Sequence, residues 1–257
     1  MTLGWFVRHK RFGRFKTAFH RPLLPLRPLG SFPKLVHLFW DQGFDEAPEL
    51  VRFCVRSWKE QNPDWTIRLW DGQAADGLAS RSVLPEGLKV TPYSDILRTE
   101  ILKLHGGVWA DATVYCTRAL DPWLLQIMAQ TDFFAFGRPG PDREIASWFL
   151  AARPNCAVVN ALSRAVARFW SRQRAPTRVY HWFQYIFEYL VRTSSAFRRA
   201  WSTAPRINAA PMLLLQERLG AGATPDPDEL DLLRAMPMHK LTHKRELDLR
   251  QIRRLVG

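Results

Sequence analysis

The sequence has few cysteines, no internal repeat and no long apolar run. Its three cysteines show no short paired spacing, which excludes a disulfide-stapled scaffold and favours a reducing compartment. We interpret Cys54 and Cys116 as small core residues rather than metal ligands. The N-terminal segment contains no uninterrupted apolar run long enough for a signal peptide or a membrane-spanning helix. We therefore expect a cytoplasmic protein.

Acidic residues are also absent from the first 34 positions, which hold eight of the lysines and arginines behind the net charge of +13. Aromatic residues are interleaved with these cations. Residues 1–31 are therefore predicted to form a basic extension that lies on an anionic membrane surface, at the inner face of the plasma membrane. A disordered basic tail is the alternative. Residues 32–257 are expected to form one domain, because a hydrophobic content of 47% suffices for one sizeable core.

The central part of the chain alternates between strand and helix patterns. Strand-like runs occur at 34–40, 65–70, 108–116 and 132–136, and helical patterns separate them. This alternation predicts an α/β fold in which helices flank a mixed sheet, followed by a more helical C-terminal part.

Two segments of the second half carry apolar residues at helical spacing, 157–172 and 177–192. The latter is rich in aromatic residues, which we interpret first as core. An acceptor groove and a contact with a lipid-linked substrate are the alternatives. His181, in the same segment, is interpreted as a buried histidine rather than a catalyst.

The chain concentrates its unusual chemistry in two neighbouring stretches, Ser-Asp-Ile-Leu-Arg at 94–98 and Gly-Gly-Val-Trp-Ala-Asp-Ala-Thr at 106–113. Charged groups in apolar segments are costly unless something pairs them, so a function is expected here. Ser94 is predicted to cap the start of a helix and Gly106 to end it. Asp95 and Arg98 are three residues apart, so they share one helix face and can pair.

The second stretch predicts a strand from 108 to 116 with a period of two. Asp111 and Thr113 are then expected to project from one side of that strand, close to the preceding helix. A surface ion pair between Asp95 and Arg98, with Asp111 only ending a strand, remains the alternative on geometry alone.

These two stretches resemble the signature of capsular polysaccharide synthesis proteins, which are sugar-nucleotide glycosyltransferases. They are related to the DXD-containing mannosyltransferases and clostridial glucosylating toxins. The resemblance covers residues 32–245 and implies a GT-A-like fold that binds nucleotide sugars. Further matching segments stand at 33–40, 55–58, 62–65, 148–149 and 239–244.

The resemblance also implies roles for single residues. Trp40, at the end of an apolar strand, corresponds to a tryptophan that stacks on the nucleobase; a core aromatic is the alternative. Asp95 and Arg98 match the pair that holds the donor sugar and its phosphate side. Asp111 matches the first carboxylate of the DXD motif, which contacts the ribose and a divalent ion.

The chain departs from the DXD pattern at Thr113, where a second aspartate is expected. Losing that carboxylate weakens the binding of Mn²⁺ or Mg²⁺. Three outcomes stay open: a cation held by fewer protein ligands, metal-independent transfer, or loss of activity. By resemblance, His239 is the candidate for a compensating metal ligand, and Lys240 and Lys244 for binding the diphosphate. A basic, solvated turn is the alternative for these late residues.

The sequence thus predicts a glycosyltransferase that moves a sugar from a nucleotide-sugar donor to a glycan or lipid-linked acceptor in capsular or surface polysaccharide synthesis. No separate general base stands out, which agrees with the retaining mechanism that the resemblance implies. A basic nucleic-acid-binding protein is one alternative, although no nucleic-acid motif occurs and no nucleic acid is expected as a partner. A non-catalytic, transferase-like subunit of a polysaccharide assembly complex is the other.

Overall fold

The computed structural model describes residues 30–257, so the basic extension predicted for 1–31 falls outside the described residues except at its last two positions. The strands are β1 (Leu35–Phe39), β2 (Thr66–Trp70), β3 (Gly107–Ala110), β4 (Val114–Cys116), β5 (Phe133–Gly137), β6 (Ile145–Ala152) and β7 (Met238–Lys240). The helices are α1 (Glu49–Gln61), α2 (Gly72–Asp76), α3 (Val90–His105), α4 (Leu124–Met128), α5 (Ala157–Trp170), α6 (Trp182–Thr193), α7 (Ser195–Ser202), α8 (Ala210–Gly220), α9 (Pro227–Ala235) and α10 (Leu249–Val256). Within residues 30–257, no helix has both the length and the apolarity needed to cross a membrane.

The central sheet has five strands in the order β2-β1-β3-β6-β5. Strand β1 runs parallel to both β2 and β3, whereas β6 runs antiparallel to β3 and β5. The parallel pairs require helical crossovers, which α1 and α3 supply. The predicted α/β class, with a mixed sheet flanked by helices and a more helical C-terminal part, is confirmed.

Both faces of this sheet are buried under helices. Along β5, the side chains of Phe133 and Ala135 join one apolar cluster, and those of Phe134 and Phe136 join another. Helices α3, α5 and α6 contribute to the first cluster, and α1 and α4 to the second. Cys54 and Cys116 are buried, as expected for core residues. Strands covered on both faces lack a polar side, which explains the nearly continuous apolar run of β6.

The prediction of a single strand over residues 108–116 is wrong. Strand β3 ends at Ala110, and the chain turns through Ala112 and Thr113, with the Val114 N–H donating to the Asp111 carbonyl at 2.9 Å. It then enters β4, which pairs antiparallel with β7 in a separate two-stranded sheet. The interruption arises because β4 leaves the central sheet to pair with a segment far along the chain. Residues 111–113 therefore lie at the seam between the two sheets.

Helix α3 begins at Val90, one turn earlier than predicted, so Ser94 is not its N-cap. Pro92 lies in the first turn, where a proline removes no helical hydrogen bond. The Ser94 hydroxyl instead donates to the Thr91 carbonyl at 2.8 Å. The predicted end of the helix is confirmed, because Gly106 caps it with a φ of 64°.

The aromatic segment is only partly core. Helix α6 begins at Trp182, later than the pattern suggested, and buries Trp182, Phe183 and Phe187. Tyr185 and Tyr189, four residues apart on the opposite face, are exposed. The core interpretation therefore holds for one face of the helix.

Candidate functional site

A cleft of about 730 Å³ opens at the carboxyl ends of β1 and β3. The end of β1 supplies Trp40 and Asp41, the start of α3 supplies Asp95 and Arg98, and the seam between the sheets supplies Asp111. The segment 240–244, which follows β7, closes the opposite side. In open α/β sheets the carboxyl ends of the parallel strands are the usual place for a ligand.

Asp95 and Arg98 form a buried ion pair in this cleft. The Arg98 Nη1 atom lies 2.8 Å from Asp95 Oδ1, and the two side chains are only 3% and 9% exposed. Arg98 also donates to the backbone carbonyls of Ser147 at 2.6 Å and Ser94 at 3.1 Å. Its guanidinium carbon lies 5.1 Å from the centre of the Trp109 ring. These contacts fix the guanidinium in one orientation.

Asp111 is the more open carboxylate, with a side chain 29% exposed. Its Oδ1 atom accepts from Arg98 Nη2 at 3.3 Å and from Trp109 Nε1 at 3.1 Å. Its Oδ2 atom lies 3.5 Å from Lys240 Nζ. Arg98 therefore links two carboxylates, one buried and one facing the cleft.

The two carboxylates differ in acidity. Burial raises the pKa of Asp95 from 3.8 to about 6, although the Arg98 charge opposes the rise. Burial would also raise the pKa of Asp111, but the charges of Arg98 and Lys240 outweigh it and leave that pKa below 3.8. Asp111 is thus the more acidic of the two carboxylates.

Lys240 reaches the cleft from the last position of β7. Its Nζ atom donates to Thr113 Oγ1 at 2.5 Å and to the Leu241 carbonyl at 3.3 Å. The Leu241 N–H in turn donates to the Thr113 carbonyl at 2.9 Å, which continues the pairing of the two strands. Lys244 also lines the cleft, on the exposed turn that follows.

The structure places His239 away from the cleft. It precedes Lys240 in β7, opposite Tyr115, and neighbouring residues of a strand project to opposite sides. The side chain is fully buried, and burial lowers its pKa to about 3, which the backbone of Leu233 offsets only in part. Strand alternation thus brings Lys240 into the site and turns His239 into the core.

His181, interpreted from the sequence as a buried histidine, is instead half-buried and lines the cleft. Another histidine that lines the cleft is His243. Its ring meets the half-buried Trp40 edge to face, with the ring centres 5.0 Å apart. Burial lowers the pKa of His243, and the charges of Lys240 and Lys244 add to this effect. Trp40 presents an aromatic side chain at the end of β1, as the sequence predicted.

The residues of the cleft do not fit a divalent metal. Among residues 30–257, no three His, Cys, Asp or Glu side chains gather closely enough to hold one. Asp95 and Asp111 are engaged by Arg98, and the Thr113 hydroxyl and Asp111 both face the Lys240 ammonium. Mg²⁺ and Mn²⁺ prefer several free oxygen ligands, which this arrangement does not offer.

Sequence reasoning missed several residues of the cleft. Asp41 pairs with Arg81, and the Gln184 side-chain amide donates to the Ser147 hydroxyl at 3.0 Å. The Gln184 carbonyl oxygen is buried and, among the described residues, has no hydrogen-bond partner. Tyr180, 71% exposed, lies at the rim. Two signals were available: Asp41 directly follows the strand-like run 34–40, and Gln184 interrupts an aromatic run.

The described fold and cleft define a mixed α/β protein with a charged site at the ends of its parallel strands. Residues 30–254 match the model of the capsular polysaccharide synthesis proteins. The chain belongs to this family, and the resemblance seen in the sequence is thereby confirmed.

Parts of the chain are similar to glycosyltransferases. One, from Acanthamoeba polyphaga mimivirus, is described as uncharacterized and is 25% identical over 99 residues, which cover 36% of this chain and 39% of the viral one. An O-glycosyltransferase of Annulohypoxylon truncatum is 31% identical over 105 residues, covering 34% and 24% respectively. The chain thus spans well under half the length of these two relatives.

Two solved toxin structures resemble the chain over most of its length. The PaToxG glycosyltransferase is 13% identical, with a TM-score of 0.43, and the match covers 90% of this chain and 91% of that one. The ligand-free glycosyltransferase domain of the YGT toxin is 10% identical, with a TM-score of 0.45 and coverages of 80% and 89%.

Proposed function

We propose that this protein is a sugar-nucleotide glycosyltransferase that acts on a glycan or lipid-linked acceptor in capsular or surface polysaccharide synthesis. The observation that carries the proposal is the linkage of Asp95 and Asp111 through Arg98 in a cleft that also holds an aromatic ring and two lysines. Membership of the capsular polysaccharide synthesis family and the named glycosyltransferase relatives support it.

The donor would lie along the cleft from Trp40 to Lys240. Trp40 offers an aromatic face to the nucleobase. The partly exposed Asp111 carboxylate can accept hydrogen bonds from the ribose hydroxyls. Lys240 and Lys244 bring positive charge to the diphosphate, on which negative charge builds as the sugar departs.

The donor sugar would contact the ion pair. Arg98 is held rigidly by Asp95 and two backbone carbonyls, so it is preorganised rather than recruited by the ligand. Gln184 and Ser147 lie on the wall beside it and offer polar groups for sugar hydroxyls. Tyr180, at the rim, is suited to the acceptor side.

We extend the proposal to a retaining mechanism. Among the described residues, the carboxylates that line the cleft are Asp41, Asp95 and Asp111, and each is paired with a cation. Ion pairs with Arg81 and Arg98 occupy these carboxylates, and Asp95 is also only 9% exposed, so none is free to take the proton of an acceptor hydroxyl. The bond between the anomeric carbon and the diphosphate oxygen then breaks while the acceptor oxygen bonds to the same face of the sugar. The acceptor proton passes to the leaving diphosphate.

A cytoplasmic location, with the basic extension touching the inner face of the plasma membrane, is part of the same proposal. The three cysteines are all buried and free, which suits a reducing compartment. The extension itself lies outside the described residues.

Thermal unfolding with a panel of nucleoside diphosphates and nucleotide sugars, with and without Mn²⁺, tests the proposal. A ligand that binds the native state raises the melting temperature. We expect one nucleotide class to stabilise the protein and Asp111→Ala to abolish the shift, whereas Asp231→Asn, at an exposed position outside the cleft, leaves it intact.

Turnover of the stabilising nucleotide sugar, measured as release of the nucleoside diphosphate, separates an enzyme from a binding subunit. Stabilisation without turnover would favour the non-catalytic subunit. Stabilisation by RNA or DNA, with no response to any nucleotide, would favour a nucleic-acid-binding protein.

A further inference from the structure

The ammonium of Lys240 lies beside Thr113, the position at which a DXD motif has its second aspartate. We propose that the Lys240 ammonium replaces the divalent metal of DXD transferases, so that donor binding and transfer in this protein need no metal. This inference rests on the proposed function and specifies how the same site handles the diphosphate.

The position of Lys240 supports the replacement. Its Nζ atom faces three oxygens, Thr113 Oγ1 at 2.5 Å, the Leu241 carbonyl at 3.3 Å and Asp111 Oδ2 at 3.5 Å. A metal held by residues 111 and 113 would need the same oxygens and the same space. Only the contact with Thr113 is short, so the ammonium can turn an N–H towards a phosphate oxygen without losing its anchor.

The charge of the site is also conserved by the replacement. An aspartate at position 113 together with a divalent cation would add one net positive charge. Thr113 together with Lys240 adds the same charge without a bound ion. An aspartate beside Lys240 would instead pair with the ammonium and cancel the charge that the diphosphate requires. The threonine and the lysine therefore form a matched pair.

The backbone holds this pair in register. Val114 lies opposite Lys240 in the β4–β7 ladder, and the Leu241 N–H donates to the Thr113 carbonyl at 2.9 Å. The Lys240 side chain is 20% exposed, whereas Lys244 is on an exposed turn. Lys240 is thus a preorganised charge, which is the property that makes a metal effective in such a site.

Titration calorimetry of the full chain with UDP and GDP, first in EDTA and then in Mn²⁺, tests the inference. We expect the tighter of the two nucleotides to bind with the same affinity, within about twofold, in both conditions. Lys240→Met should weaken its binding by about tenfold or more, the effect of losing one charge-assisted hydrogen bond. The matching nucleoside, which has no phosphate, should bind both proteins equally. Lys59→Met, which removes an exposed lysine outside the cleft, is the control for net charge.

A second variant tests the exchange of lysine for metal directly. Thr113→Asp/Lys240→Gln restores both carboxylates of a DXD motif and removes the ammonium. We expect it to bind the nucleoside diphosphate only when Mn²⁺ is present. Binding by this variant in EDTA at the wild-type affinity would overturn the inference, and circular dichroism confirms that each variant is folded.

Binding by the wild-type protein distinguishes failure of this inference from failure of the proposed function. If wild-type protein binds a nucleoside diphosphate only with Mn²⁺, Lys240 does not replace the metal and the proposed function stands. If it binds neither UDP nor GDP, nor any nucleotide of the wider panel, in either condition, the proposed function fails and this inference fails with it.

Discussion

The Arg98 guanidinium on helix α3 lies 3.3 Å from the Asp111 carboxylate, at the seam between the two sheets. This contact joins a helix to a turn that follows the neighbouring strand, and it brings together the two stretches that stood out in the sequence. Since Arg98 also pairs with Asp95, one side chain fixes the relative position of both carboxylates. Arg98 therefore couples the stability of the fold to the geometry of the cleft.

Replacing Arg98 with methionine should destabilise the fold. The change leaves Asp95 buried without its partner, and breaking a buried ion pair in this way costs about 3–5 kcal/mol. The free energy of unfolding from urea denaturation at neutral pH measures the loss. Arg192→Met, which breaks an exposed ion pair with Glu188, should cost less than about 1 kcal/mol. Equal losses in the two variants would contradict the assignment.

The pKa of Asp95 predicts a pH dependence of stability. Because that pKa rises from 3.8 to about 6 on folding, the folded state holds this proton more tightly than the unfolded state. The contribution of Asp95 to stability is therefore complete below pH 3.8 and is lost as the pH rises to about 6. Two pKa units correspond to about 3 kcal/mol.

Asp95→Asn removes this titration. We expect the wild-type protein to lose stability relative to the variant as the pH rises from 3.8 to about 6. Urea midpoints measured at intervals across this range give the difference. A difference that stays constant with pH would show that Asp95 keeps its ordinary pKa in the folded protein.

Gly107 should tolerate no side chain. A Cβ atom there would lie 2.6 Å from the Leu35 carbonyl oxygen, and the residue has a φ of +85°. Gly107→Ala is expected to cost about 3 kcal/mol, from backbone strain and overpacking together. Gly222 has a φ of +61° but no atom of the described residues within 4 Å of such a Cβ. Gly222→Ala should cost only about 1 kcal/mol, and melting temperatures compare the two variants.

Trp40→Ala should weaken nucleotide binding only by removing the stacking of the nucleobase on the aromatic ring. Stacking of a base on an aromatic ring contributes about 1–3 kcal/mol, so the affinity for a nucleoside monophosphate should fall while that for inorganic pyrophosphate is unchanged. Calorimetry measures both. Trp40→Phe should keep most of the affinity, and Tyr189→Ala, at an exposed aromatic outside the cleft, serves as the control. If the affinity for pyrophosphate falls as much as that for the nucleoside monophosphate, Trp40 maintains the structure of the cleft and does not stack on the base.

Local patterns predicted those parts of the site that depend on local geometry. The spacing of Asp95 and Arg98 indicated a pair on one helix face, and the structure contains that pair. Gly106 was expected to end the helix, and it does so with a positive φ. Both features depend on residues within one or two helical turns of each other, so they can be predicted from the sequence alone.

Features that depend on distant pairing could not be predicted. The strand that was expected to run through Asp111 breaks there because β4 pairs with β7, more than a hundred residues later. Without that register, nothing shows that Lys240 faces the cleft and His239 the core. The start of α3 was misplaced for a different reason, since Lys89 offers no capping side chain and Ser94 resembles a cap.

The pairing of β4 with β7 also determines when the cleft is completed during translation. A domain generally folds as a unit, so strand β7 must leave the ribosome before this domain is complete. A nascent chain that ends before Met238 has neither Lys240 nor Lys244. The side of the cleft that holds Lys240 and Lys244 is therefore assembled only when the final segment has left the ribosome, so a prematurely terminated product would lack it.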